Sequence, residues 1–105
     1  MIERLLAADA ALDRGDIDVA GRLFAQVAEA DPRNAIAVVG LARIAVRRGA
    51  PDEARALARR ALVIDADEAA ARRLLDELEA EPRAPAPVAA RALWRRLLAR
   101  ILGRG

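Results

Sequence analysis

The strongest constraint on this chain is that it repeats itself every 34 residues. The segment "RGDIDVAGRLFAQVAEADPRN" (14–34) aligns with "RGAPDEARALARRALVIDADE" (48–68). Gly15 pairs with Gly49, Asp18 with Asp52, Ala20 with Ala54, Phe24 with Ala58, Val27 with Ala61 and Asp31 with Asp65. A unit this short cannot bury its own apolar face, so neighbouring units must stack. Composition says what the units are made of. The chain is rich in Ala, Leu, Arg and Glu, strong helix formers, and its aromatic content is 2%. Its β-branched residues do not alternate with polar ones, so an all-α fold is expected. Because so much of the apolar content is alanine, the core should be thin and its helices closely packed.

Local signals place the helices at about 2–14, 17–30, 35–48, 51–65 and 68–80. Asp16 and Asn34 are positioned as N-caps, and Pro51 stands where a first-turn proline is tolerated, with Asp52 and Glu53 near the positive helix end. Pro32 disfavours helix at Asp31 and should end the second helix. A small residue at Ala20 and Ala54 lets paired helices approach closely.

The period, the turn glycines, the small crossing residue, the larger Phe24 and the closing Pro32 together resemble the tetratricopeptide repeat family. The resemblance covers residues 1–68, with units 1–34 and 35–68 and a partial third at 69–80. Arg4 and Val38 stand where the family has an early aromatic, and Ala66 replaces the second closing proline. The resemblance implies a short solenoid of antiparallel helix pairs whose first helices line a concave groove. Carrying the family's groove positions over gives Ile2, Leu5, Asp9, Leu12 and Asp13, then Ile36, Val39, Arg43, Val46 and Arg47, then Ala70, Arg73 and Glu77. It implies a protein or peptide partner. The Lys and Asn clamp by which some members hold a C-terminal carboxylate has no counterpart, its positions being Leu5, Asp9, Gly40, Ala70 and Leu74. Read from the residues, positions 2, 5, 9 and 12 do form one helical stripe. The same apolar surface is also where the chain's own last helix would lie.

The C-terminal part differs in charge. Residues 82–105 hold Arg83, Arg91, Arg95, Arg96, Arg100 and Arg104 and no acid, a charge of +6, whereas residues 1–81 carry −4. The modest net charge of +2 conceals this asymmetry. After a proline-rich connector, "EPRAPAP" (81–87), a basic amphipathic helix is expected at 88–102 within the segment 88–105. Leu93, Trp94, Leu97, Leu98, Ile101 and Leu102 cover about half of it, with Arg95, Arg96 and Arg100 opposite. Three destinations fit that apolar face. It packs on the repeats as the missing helix of a third unit, with Ala90, Trp94, Leu97 and Leu98 two residues beyond the register of Ala20, Phe24, Val27 and Ala28. It lies on an anionic membrane surface, where at about 22 Å it is too short to span. Or it docks on a partner, which in a homo-oligomer is the neighbouring chain.

Function classes are narrowed by what is missing. With no Cys, His, Lys or Tyr, cysteine nucleophiles, zinc sites, histidine acid–base chemistry and Schiff-base lysines are excluded, and no catalytic residue, metal or cofactor is expected. Asp9, Asp13 and Asp16 read as surface and cap residues. The arginines lack interleaved aromatic platforms, so specific nucleic-acid binding is not expected. No signal peptide or membrane span is evident, and the expected location is cytoplasmic, peripheral at the membrane if the last helix meets lipid. The reading is a non-catalytic interaction module or adaptor, with membrane-surface association as the alternative.

Overall fold

Two glycines punctuate the fold at a 34-residue interval. Gly15 and Gly49 have φ of 79° and 74°, the left-handed region that side chains disfavour. Each follows a helix and closes it in the same way. The Gly15 amide donates to Leu12 O at 3.0 Å and that of Asp16 to Ala11 O at 2.8 Å, while Gly49 donates to Val46 O and Ala50 to Ala45 O at 3.0 and 2.9 Å. This six-to-one and five-to-two pattern satisfies the last carbonyls and reverses the chain within three residues.

The computed structural model describes residues 1–80, 96–97, 99–101 and 103. It contains α1 (Ile2–Asp13), α2 (Ile17–Ala30), α3 (Ala35–Arg47), α4 (Pro51–Ile64) and α5 (Ala69–Ala80), with no strand among the described residues. The expected boundaries hold to within a residue. Asp16 Oδ1 accepts from Val19 N at 3.4 Å and Asn34 Oδ1 from Ala37 N at 3.0 Å, so both expected caps form. The connector 81–87 and most of the expected helix 88–102 lie outside the described residues; Arg96, Leu97, Ala99, Arg100 and Ile101 are helical.

The second helix ends before Asp31 as the proline leads one to expect, and a second cause operates at both stops between units. Asp31 sits at φ −139°, ψ 90° and Asp65 at φ −142°, ψ 101°, although Pro follows the first and Ala the second. What they share is the side chain. Asp31 Oδ1 accepts from Arg33 N at 3.1 Å and Asp65 Oδ1 from Asp67 N at 3.0 Å, while their carbonyls accept from Asn34 N and Glu68 N. These aspartate-centred turns compete with helix continuation and set the break. Pro32 reinforces one of them.

Helix packing follows the alanines. Ala8, Ala11, Ala20, Ala37, Ala42, Ala54, Ala58, Ala61 and Ala71 are fully buried, and such short side chains let helix axes approach at the near end of the usual range. Phe24, the largest buried side chain, is inserted among Ala8, Ala11, Leu12, Ala20 and Ile44, and so ties α1 and α2 to α3. Its burial contributes about 2–3 kcal/mol. A second cluster joins Ala35, Val38, Val39 and Ala61 to Ala71 of α5, and a third joins Ala45 and Ala54 to Leu78. Each odd-numbered helix after the first thus closes the core of the pair before it.

Candidate binding groove

Residues 34 apart occupy equivalent positions on α1, α3 and α5, so one column of the sequence becomes one row across the solenoid. The row Asp9, Arg43, Glu77 alternates in charge. Arg43 Nη1 reaches Asp9 Oδ1 at 2.9 Å across the α1–α3 boundary. Both groups are about half exposed, so this pair is worth roughly 0.2–1 kcal/mol.

That row crosses a cleft of about 430 Å³ lined by Asp9, Phe24, Ile36, Val39, Gly40, Arg43, Glu68, Ala70, Arg73, Leu74 and Glu77. Ile36, Val39 and Leu74 supply apolar floor. Asp9, Arg43, Glu68, Arg73 and Glu77 supply charged groups to the same lining. Phe24 reaches this floor because Gly40 has no side chain: a Cβ built there would lie 2.3 Å from Phe24 Cδ1 and 2.4 Å from Cε1. The aromatic ring fills the space that the glycine leaves and seals the cleft from below.

Of the residues expected in the groove, Asp9, Ile36, Val39, Arg43 and Arg73 are brought together here, with Ala70 and Glu77. The others are placed elsewhere. Leu12, only 3% exposed, is core between α1 and α2, because the end of α1 turns that position towards α2. Leu5 packs half-buried against the same cluster. Ile2, 72% exposed, and the exposed Val46, Arg47 and Asp13 lie outside the cleft lining. The groove is therefore shorter than the stripe suggests and is centred on α3 and α5. The sequence marks Phe24 only as the larger residue of the second helix and does not single out Glu68. A signal for the former existed: a glycine at position 40, between Leu6 and Leu74 in register, costs about 1 kcal/mol of helix propensity and implies a close approach.

Of the expected C-terminal face, Leu97 and Ile101 are 41% and 71% exposed, beside exposed Arg96 and Arg100. Trp94, Arg95 and Leu98 lie outside the described residues. Among the described residues no group of three or more acidic, His or Cys side chains is arranged to hold a metal ion, and no helix is long and apolar enough to cross a membrane.

A family model described as tetratricopeptide repeat matches residues 5–69, more than half of the chain and all of the first four helices but the opening turn of α1. The chain has no match among curated proteins.

Proposed function

Because the chain belongs to the tetratricopeptide repeat family, whose repeats generally mediate protein–protein interaction and are generally non-catalytic, we propose that it is an adaptor holding a short peptide or helix in the cleft between α1, α3 and α5. The observation that carries this reading is the convergence of Ile36, Val39 and Leu74 with Asp9, Arg43, Arg73 and Glu77 in one cleft. An apolar floor desolvates one or two ligand side chains, and a rim of mixed charge fixes their register without demanding a highly charged partner. The lining of the cleft comes from α1, α3 and α5, which suits an elongated ligand laid across the helices.

The experiment is selection of peptides from a displayed random library against the full-length chain, followed by affinity measurement on variants. Ile36 is 55% exposed, so Ile36→Asp leaves the fold intact. It and Arg73→Glu should each weaken a selected peptide about tenfold or more. Selected peptides that bind both variants as tightly as the parent chain would place the binding surface elsewhere.

A further inference from the structure

The register that aligns α1, α3 and α5 also sets α5 apart from the helices before it. The stripe of α1 that meets α2 carries Ala8 and Ala11, both fully buried. The equivalent stripe of α3 is Val38, Ala42 and Ala45, also buried. In α5 the equivalents of Ala8 and Ala11 are Asp76 and Glu79, both exposed, and the Glu79 carboxylate accepts from Arg59 at 3.1 Å; Arg72 is exposed as its α1 equivalent Arg4 is. The buried side of α5 is Ala71, Leu75 and Leu78, of which Ala71 and Leu78 close the cores of α3 and α4. A sixth helix in the register of α2 and α4 would bury the carboxylates of Asp76 and Glu79 where its predecessors bury alanines, at a desolvation cost that the alanines do not carry. A polar outer face is how a stack of repeats stops.

The C-terminal segment then has no apolar seat in that register. Its described residues Arg96, Leu97, Ala99, Arg100 and Ile101 are helical and exposed, with Leu97 and Ile101 one turn apart on one stripe and Arg96 and Arg100 on the next. Residues 82–105 carry +6 without a single acid, and residues 1–81 carry −4. A uniformly basic segment with an apolar stripe complements a surface that is uniformly anionic and has an apolar layer beneath it. We propose that the solenoid ends at α5 and that the C-terminal helix docks its Leu97–Ile101 stripe on an anionic bilayer surface, with Arg96 and Arg100 at the headgroups. The net negative charge of the repeats keeps them off that surface, leaving the groove free in solution.

The test uses the full-length chain with phosphatidylcholine vesicles, with and without phosphatidylserine. Binding is expected with the anionic vesicles alone, falling as salt rises. Arg96→Gln together with Arg100→Gln should weaken it about 30-fold, roughly fivefold for each charge. Leu97→Ala with Ile101→Ala should weaken it further, and far-ultraviolet circular dichroism should show both variants folded, since all four residues are exposed. Trp94 is the only tryptophan, and its emission should be that of an exposed indole until anionic vesicles shift it to the blue. Blue emission without lipid, unchanged by vesicles, would mean that the segment packs on the repeats. A blue shift that grows with protein concentration would assign it to a second copy of the chain. Either result overturns the proposal, as does equal binding to neutral vesicles or none to anionic ones. None of these variants lies in the groove, so failure here is independent of peptide binding.

Discussion

Two glycines lie inside helices of this fold, and alanine at each should move stability in opposite directions. Gly21 is in α2, where a Cβ would stand 3.5 Å from Arg48 Nη2 and 3.6 Å from Ile44 Cγ2, ordinary contact distances. Gly21→Ala should therefore realise most of the helix-propensity difference, a gain of about 0.5–1 kcal/mol. Gly40 is in α3, where the Cβ would meet three carbons of the Phe24 ring at 2.3, 2.4 and 2.5 Å. Carbon atoms settle at roughly 3.5–4.0 Å, so the ring would have to withdraw by about 1 Å or more. It has little room to do so. Phe24 is 1% exposed and is enclosed by Ala8, Ala11, Leu12, Ala20 and Ile44. Overpacking at such a site costs about 1–3 kcal/mol, and the clash puts Gly40→Ala in the upper half of that range. After the propensity gain, the net loss is about 1–2 kcal/mol, or roughly 5–15 °C in melting temperature for a domain of this size. Urea unfolding followed by circular dichroism reads both variants, and Phe24→Leu in the Gly40→Ala background should recover part of the loss. If Gly40→Ala stabilised the chain as Gly21→Ala does, the ring would not lie over Gly40, and the floor of the cleft would be wrongly described.

Gly15→Ala and Gly49→Ala meet no steric obstacle, but each forces a side chain to positive φ, so each should cost about 1–2 kcal/mol in thermal melts. The turn between units should depend on the aspartate more than on the proline: Asp31→Ala should lose about 1 kcal/mol in urea unfolding and Pro32→Ala less than about half of that. Asp65 has nearly the backbone conformation of Asp31, and Ala66 stands where Pro32 does. Ala66→Pro should therefore raise stability by about 0.4–1 kcal/mol, seen as a higher melting temperature. A double-mutant cycle on Asp9→Ala and Arg43→Ala should return a coupling of about 0.2–1 kcal/mol that shrinks with added salt.

The fold was legible because its signals are local and repeat. Gly15, Gly49, Asp16, Asn34 and Pro51 each settle a helix end within a few residues, and the 34-residue period then fixes how the helices stack. The groove was less legible because membership of a helical stripe does not say how far a neighbour covers it. Position 12 shares a stripe with Ile2, Leu5 and Asp9, yet Leu12 is buried by α2, a fact of helix packing and not of periodicity. Pro32 accounts for only one of the two breaks between units: proline is conspicuous in a sequence, whereas the side-chain hydrogen bonds that Asp31 and Asp65 share appear only with the backbone geometry. Phe24 reads as a core residue, and its second role under the cleft depends on the absence of a side chain at Gly40.

The central claim is that a ligand lies across α3 and α5 in the cleft floored by Ile36, Val39 and Leu74. The direct measurement is a titration of the isotopically labelled full-length chain with a selected peptide, following backbone amide shifts by nuclear magnetic resonance. The account predicts the largest changes between Ile36 and Arg43 and between Ala70 and Glu77. Changes confined to α2 and α4, or to residues 96–101, would contradict it.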